Sequence, residues 1–121
     1  MINPITDDDI KPYANEMSNS MLTLTKIDKL YGFFINDKLA GWVGVKITNS
    51  KYIYKTAFVL KEHRNKGIFN NLLSYLLAKY QDKPIEANCT PMSFGSFRRY
   101  QFEIIKEYKC GSKKLRYENK L

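Results

Sequence analysis

The sequence predicts an α+β (α/β) fold, in which helices flank one mixed sheet, and three observations support this prediction. Two stretches are typical of antiparallel hairpins, because apolar runs rich in β-branched and aromatic residues flank short polar turns. A stretch between them has apolar residues about every four positions, which indicates a helix packed on one face. No repeat or linker divides the 121 residues, so we expect a single domain over residues 1–121.

The elements are predicted in the order α–β–β–β–α–β–α–β–β. Thr6 followed by three aspartates indicates the start of a short helix over about 8–17, because acidic residues stabilise a first turn. A meander of three strands, a long helix, a strand and a short helix then lead to the final hairpin. The predicted ranges of these later elements are 29–35, 39–48, 52–60, 67–80, 84–90, 91–100, 102–109 and 112–118.

The composition excludes several classes of protein. No apolar run approaches the roughly 18–20 residues that span a bilayer, so we expect no membrane partner. The first residues lack the basic and apolar regions of a secretory signal, and a reducing cytoplasm is the expected compartment. Cys89, Cys110 and the one histidine, His63, have no metal-ligand spacing, so we expect neither a disulfide scaffold nor a bound metal.

The positive charge is concentrated in the second half of the chain. The net charge is +8, of which residues 1–60 contribute +1 (seven basic, six acidic) and residues 61–121 contribute +7 (thirteen basic, six acidic). A polyanionic ligand or partner would therefore bind the second half. A solvated basic surface accounts for the same charge and is favoured over nucleic-acid binding, which stays open.

The segment VLKEHRNKGIF, residues 59–69, carries the strongest chemical signal. A strand ends there, a basic loop containing Gly67 follows, and an amphipathic helix begins. The first amides of a helix have no internal partners, and Arg64, Lys66 and Lys61 add full charges, so the pattern predicts a site for a phosphate-like anion. An ordinary strand–helix turn is equally compatible with the spacing. The P-loop and dinucleotide glycine motifs are absent.

This segment resembles motif A of the GNAT superfamily of N-acetyltransferases, whose signature R/Q-x-x-G-x-G/A follows the fourth strand. Arg64 and Gly67 match the signature, and Phe69 stands at its last small position. The resemblance covers about residues 30–121. It implies a mostly antiparallel mixed sheet in which the fourth and fifth strands splay apart around a cofactor cleft. The region before the first hairpin is short for this family, which favours an open groove for a large acceptor.

The resemblance implies an enzyme that moves an acetyl group from acetyl-CoA to an amine, which is a protein lysine, a protein N-terminus or a small amine. Amides from Arg64 through Phe69 would hold the diphosphate, and the fourth-strand backbone would pair with the pantetheine arm. Further along, the family pattern N-x-x-A-x-x-x-Y-x-x-x-G-F is matched imperfectly, with Phe97 at the tyrosine position. The residues expected at the cofactor are Phe58, Val59, Arg64, Asn65, Lys66, Gly67, Ile68, Phe69, Thr90, Ser93 and Phe97.

The acid and base of such a reaction have one candidate each. Phe97 cannot protonate the leaving thiolate, so Tyr100, one turn further on, is the substitute, although an ordinary core or surface aromatic is the alternative. Glu86 is the candidate base, because a carboxylate in a half-buried strand tends to have a raised pKa. An ion pair with a neighbouring lysine is equally compatible with its position, and so is deprotonation through water.

A second interpretation is a catalytically silent protein of the same fold. It would bind a host protein or nucleic acid through the basic second half of the chain. Phe69 and Phe97 favour this interpretation, whereas the intact loop from Arg64 to Gly67 favours the enzyme.

Overall fold

The computed structural model describes residues 1–13, 27–80, 82–89 and 94–118. Within these residues the framework is a seven-stranded sheet with the order β1-β2-β3-β4-β5-β7-β6. The strands are β1 (Ile2–Pro4), β2 (Lys29–Ile35), β3 (Lys38–Ile47), β4 (Tyr52–Val59), β5 (Ile85–Cys89), β6 (Glu103–Glu107) and β7 (Lys113–Tyr117). The pairs in this sheet are antiparallel except β4 and β5, which run parallel because a helix connects them.

The helices are short, apart from the one between β4 and β5. They are α1 (Asp7–Ile10) with a 3₁₀ turn (Lys11–Tyr13), a 3₁₀ turn after β4 (Lys61–His63), α2 (Ile68–Lys79) and α3 (Phe94–Arg99). Among the described residues, no helix is long and apolar enough to cross a membrane.

α2 packs its apolar stripe on one face of the sheet. Leu72, Leu73 and Leu76 are at most 2% exposed and belong to one buried cluster with Val45 of β3. Their spacing of three or four positions places them on one side of the helix. On the opposite face of the sheet, a smaller buried cluster surrounds Trp42 beside α1.

β4 and β5 are paired over only three residues each. Residues 52–54 lie opposite residues 85–87, and the pairing ends there. Beyond this point β4 continues to Val59 and β5 continues to Cys89, where β5 pairs only with β7. The carboxyl ends of the two strands therefore separate and leave a gap, as the resemblance implied.

The structure confirms the order and type of the predicted elements, and their described ends agree to within two residues, whereas the predicted start of α3 at residue 91 lies outside the described residues. The sequence pattern does not predict β1, because three residues are too few to show alternation. The region before the first hairpin therefore contains a strand, and the open acceptor groove stays a prediction. The predicted helix over about 8–17 is present as α1 and its 3₁₀ turn, and residues 14–17 lie outside the described residues.

Candidate functional site

The loop between β4 and α2 turns on two residues with left-handed backbone conformation. Asn65 has a φ of 66° and Gly67 a φ of 75°. Glycine adopts this conformation without steric cost and asparagine tolerates it, so the chain can reverse direction within a few residues. α2 then begins at Ile68, with Gly67 as its N-cap and with no side chain bonded to its first turn.

Six consecutive backbone amides in this turn have no acceptor within the described residues. The Arg64 amide donates to the Lys61 carbonyl over 3.4 Å, and the Asn71 amide donates to the Gly67 carbonyl over 3.0 Å. The amides of residues 65–70, here called the amide cluster, donate to no acceptor in that part of the chain. Arg64 was expected in this set, but its amide already has an acceptor. Unbonded amides at a helix start attract anions.

The space beside the amide cluster is open and positively charged. A Cβ built on Gly67 meets no heavy atom within 4 Å, so a ligand can approach the backbone there. Arg64 and Lys66 are exposed on the same loop. The side chain of Ile68 is 3% exposed and packs in the larger core cluster, so this residue offers the ligand only its amide. These features fit a diphosphate.

The Arg64 side chain folds back along the end of β4. Its Nε donates to the Val59 carbonyl over 3.0 Å, and its Cζ lies 5.4 Å from the centre of the Phe58 ring. The Leu60 amide donates to the Ala40 carbonyl of β3. Because strand residues alternate, the polar backbone groups of Phe58 also face β3, whereas those of Val59 face the gap. Of the two expected backbone contacts, only Val59 is therefore directed towards the gap.

Phe69 and Phe97 link the first turn of α2 to α3. Their ring centres are 5.5 Å apart in an edge-to-face arrangement, and Phe97 makes a similar contact with Phe102. Phe97 is 3% exposed. The large residue at the last position of the motif thus packs towards α3, and its amide still belongs to the amide cluster. Two other expected cofactor residues, Thr90 and Ser93, lie outside the described residues.

Glu86 is surrounded by three cations. Its carboxylate oxygens lie 3.1 Å from Lys51 Nζ, 3.2 Å from Lys114 Nζ and 3.7 Å from a guanidinium nitrogen of Arg116. Burial raises the pKa of Glu86, but hydrogen bonds and charges from the two lysines outweigh burial, and the pKa lies below its usual 4.5. The expected raised pKa is therefore wrong, and the ion-pair alternative is correct. A carboxylate stabilised in this way is a weak base.

Tyr100 lies just after α3, against the first turn of α2. Its hydroxyl donates to the Asn70 carbonyl over 3.3 Å, so the phenol proton is directed at the helix backbone. The contact ties α3 to α2, and the role of Tyr100 as a proton donor stays a prediction. The side-chain oxygen of Asn70 is buried and has no hydrogen-bond partner among the described residues, a feature for which the sequence gives no signal.

A group of hydrogen-bonded tyrosines, which no sequence pattern predicts, lies at the opposite end of α2. The hydroxyls of Tyr31 and Tyr80 are 2.6 Å apart, Tyr54 donates to the Tyr80 carbonyl over 3.0 Å, and Tyr52 donates to the Asp82 carboxylate over 2.6 Å. The bond to Asp82, with burial, raises the pKa of Tyr52 to about 12. Burial, with the bond to Tyr31, raises the pKa of Tyr80 to about 12. In sequence these residues resemble ordinary sheet aromatics.

Within the described residues, Cys89 and His63 do not form a catalytic or metal site. Cys89 is buried, and burial raises the pKa of its thiol, which lowers its reactivity. The His63 Nε2 lies 3.6 Å from the Glu62 carboxylate. Over the part of the chain that the structure describes, no three His, Cys, Asp or Glu side chains are grouped as metal ligands would be.

Comparison with known proteins gives structural matches only. No family profile and no curated protein matches the sequence. A GNAT family acetyltransferase from Elizabethkingia anophelis with acetyl-CoA bound has a TM-score of 0.72, with 19% identity, over 98% of this chain and 97% of that chain. Arabidopsis thaliana Naa50 in complex with the bisubstrate analogue CoA-Ac-MVNAL has a TM-score of 0.71, with 15% identity, over 98% of each chain.

The chain has the GNAT fold. A chain from Pyrococcus horikoshii that is assigned as an acetyltransferase also matches, with a TM-score of 0.71 and 19% identity over 86% of this chain, which spans only 43% of that one. Identities this low establish the fold alone. Within this GNAT fold, β4 borders the gap and leads through the 3₁₀ turn Lys61–His63 to the amide cluster.

Proposed function

We propose that this protein is an N-acetyltransferase that transfers the acetyl group of acetyl-CoA to an amine. The amide cluster is the observation that carries the proposal. Six amides without acceptors in the described chain, beside Gly67 and the cations of Arg64 and Lys66, are suited to a diphosphate. The site lies at the open end of a gap between strands, where an extended ligand can continue from the diphosphate.

The gap between β4 and β5 would receive the pantetheine arm and the thioester. Unpaired strand edges offer amide and carbonyl groups to an extended ligand that itself contains amides. Val59 is the residue whose backbone faces this gap, and its amide is our candidate for polarising the thioester carbonyl. Because Arg64 Nε already bonds the Val59 carbonyl, the arm would have to share or displace that contact.

The chemistry requires little acid or base from the protein. The amine nitrogen attacks the carbonyl carbon, the carbon–sulfur bond breaks, and the thiolate leaves while the amine loses its proton. Glu86 is a weak base, so we propose that water accepts this proton. A thiolate is a good leaving group, so catalysis does not depend on a donor at Phe97, and Tyr100 is the remaining candidate donor.

The acceptor is an amine of a protein or a small molecule. The bisubstrate analogue bound to Naa50 joins CoA to the sequence MVNAL, and this favours a peptide acceptor for a chain of the same fold. A reducing cytoplasm, where acetyl-CoA is present, is the compartment that the two free cysteines favour.

Titration with acetyl-CoA tests the proposal. A ligand whose concentration is about 100 times its dissociation constant stabilises the native state by about 2.7 kcal/mol, and urea denaturation can measure this change in the free energy of unfolding. Acetyl-pantetheine is the matched control, because it carries the thioester without the diphosphate and should stabilise far less. Mass spectrometry of an offered amine then detects the transferred acetyl group. If acetyl-CoA gives no more stabilisation than acetyl-pantetheine, the proposal is wrong.

The second candidate function is that of a catalytically silent binding protein. The lowered pKa of Glu86 and the phenylalanine at position 97 are the observations that favour it, together with the net charge of +7 over residues 61–121. Retention of DNA or RNA that weakens as salt rises, without stabilisation by acetyl-CoA, would favour this function over the enzyme.

A further inference from the structure

On the sheet face opposite α2, five charged side chains form a connected group, here called the Glu86 cluster. Its members are Lys51, Glu86, Lys114, Arg116 and Glu118. Glu86 contacts all three cations, and Arg116 also donates two hydrogen bonds to Glu118, of 2.9 and 2.7 Å. Three cations and two carboxylates leave a net charge of +1.

The Glu86 cluster lies beside the gap. The pairing of β4 with β5 ends one residue after Glu86. The next β5 residue on the same face is Asn88, which is exposed and lies opposite Lys114 of β7. On β4, Lys55 belongs to this face because its neighbour Tyr54 is buried on the α2 face. Lys55 therefore lies on the β4 side of the gap, and Lys114 lies on the other side, one strand beyond β5.

The cations of the cluster are held in place and remain accessible. The Glu86 side chain is only 10% exposed, whereas those of Lys51, Lys114 and Arg116 are 32%, 37% and 39% exposed. The carboxylate therefore lies beneath the cations and fixes their positions. Each ammonium has three donors and uses one on Glu86, so further donors can bind a second anion. Such preorganisation lowers the entropic cost of binding.

The two candidate binding sites lie on opposite faces of the sheet. The amide cluster begins α2, which packs on one face, and the Glu86 cluster lies on the other face, with the gap between them. If the donor occupies the α2 side, an acceptor reaches the thioester from the opposite side. We propose that the Glu86 cluster and Lys55 bind acidic side chains of the acceptor, so that the substrate is a peptide amine flanked by Asp or Glu. This inference rests on the proposed function.

A peptide fits this surface better than RNA does. None of the residues of the Glu86 cluster, nor Lys55 or Asn88, is aromatic, so these residues themselves offer no ring on which a base could stack. The carboxylates of Glu86 and Glu118 also leave the cluster with a net charge of only +1. This charge is small for binding a continuous phosphate backbone, whereas single carboxylates can pair with single cations.

Two peptides test the inference. They have the same length and a free N-terminal amine, and they differ only in three aspartates or three asparagines after the first residue. Fluorescence anisotropy measures their affinity for the protein in the presence of CoA, and initial rates measure their acetylation. We expect the acidic peptide to bind at least about tenfold more tightly at low salt, with a difference that shrinks as salt rises.

Three substitutions locate the effect. Lys114→Gln and Lys55→Gln should each reduce the preference for the acidic peptide by about three- to fivefold, the effect of one partly screened ion pair. Lys38→Gln removes the same charge at the exposed β2–β3 turn and should leave the preference unchanged. Lys55 and Lys114 lie on different strands, so a folding defect in one variant leaves the other as a test.

The possible results distinguish a failure of this inference from a failure of the proposed function. Equal affinity for the two peptides, or an equal loss in Lys38→Gln, overturns the inference. Binding of single-stranded RNA that Lys114→Gln weakens, without a peptide preference, assigns the surface to RNA and also overturns it. If acetyl-CoA stabilises the protein in the separate titration, these failures concern the acceptor alone. If acetyl-CoA does not bind, the proposed function fails, whatever the peptides do.

Discussion

The two ends of α2 differ in how their backbone groups are bonded. At the C-terminal end, the Tyr80 amide donates to the Leu76 carbonyl, and the Tyr80 carbonyl accepts a bond from the buried hydroxyl of Tyr54. At the N-terminal end, the amides of residues 65–70 have no acceptor among the described residues, and the space beside Gly67 is open. At the C-terminal end the protein itself bonds both backbone groups of Tyr80, whereas the amides at the N-terminal end are available to a ligand.

The C-terminal end of α2 therefore contributes to the stability of the fold, and its N-terminal end is suited to binding a ligand. Hydrogen bonds that bridge distant parts of the chain, such as the one between Tyr54 and Tyr80, stabilise the fold. Amides that face solvent contribute no such bond, but they need no rearrangement to bind an anion. Substitutions at the C-terminal end should therefore change the free energy of unfolding, and substitutions at the N-terminal end should change the affinity for acetyl-CoA.

The largest effect is expected for Gly67→Val. A β-branched residue is strongly disfavoured at a φ of 75°, so the turn should rearrange and the amide cluster should lose its geometry. The stabilisation of about 2.7 kcal/mol that acetyl-CoA gives at about 100 times its dissociation constant should disappear from urea denaturation curves. Gly111→Val is the matched control, because Gly111 has a φ of 93° in the β6–β7 turn. A Gly67→Val protein that is still stabilised by acetyl-CoA would contradict the account.

Glu86→Gln should lower the free energy of unfolding at pH 7 by about 1–3 kcal/mol, because it leaves three partly exposed cations around a neutral group. The pKa of Glu86 is lowered by folding, so its ion pairs stabilise the protein above about pH 4.5 and this stability is lost as pH falls through the lower folded value. The variant should therefore show a smaller loss of stability below about pH 4.5 in urea denaturation.

The same variant separates the structural role of Glu86 from a catalytic one. We expect kcat to stay within about threefold of the wild-type value when it is measured at a pH where both proteins are folded. A general base contributes about 100-fold or more to the rate. A fall of that size in kcat, together with a changed pH profile for kcat, would show that Glu86 is the general base.

Tyr54→Phe should reduce the free energy of unfolding by about 1 kcal/mol, because it removes a buried hydrogen bond to the Tyr80 carbonyl. The affinity for acetyl-CoA should not change, since the bond lies at the far end of α2. Tyr108→Phe removes the hydroxyl of an exposed tyrosine and should leave stability nearly unchanged. Weaker binding of acetyl-CoA to Tyr54→Phe would show that the two ends of α2 are coupled.

Tyr100→Phe should have the smallest effect, a loss of about 0.5 kcal/mol in stability, because its bond to the Asn70 carbonyl is long at 3.3 Å. We expect kcat within about threefold of wild type. A fall of about 100-fold in kcat, with KM for acetyl-CoA unchanged, would identify the hydroxyl as the proton donor instead.

Local chemistry made much of the fold predictable. The β2–β3 turn contains Asn36 and Asp37, both with positive φ, and Gly111 has the same property in the last hairpin. These residue types favour such turns regardless of the rest of the chain. The unbonded amides before α2 were predictable for the same reason, because a glycine-containing turn into a helix defines them locally.

Contacts between distant residues were not predictable. Strand alternation places Glu86 correctly on the face of Asn88, but its pKa depends on cations from β7 and from the residue before β4. The bond from Tyr54 to Tyr80 joins residues 26 positions apart, and the contact of Tyr31 with Tyr80 joins residues 49 apart. Such partners are fixed by the register of the sheet and by the position of α2, which no local pattern specifies.

Amide hydrogen exchange at residues 65–70 tests the central claim most directly. Followed by NMR, these amides should exchange rapidly in the free protein, because the protein gives them no acceptor. Saturating acetyl-CoA should slow their exchange at least about tenfold, and acetyl-pantetheine should not. If these amides are already protected in the free protein, or if acetyl-CoA leaves their exchange unchanged, then they do not bind the diphosphate.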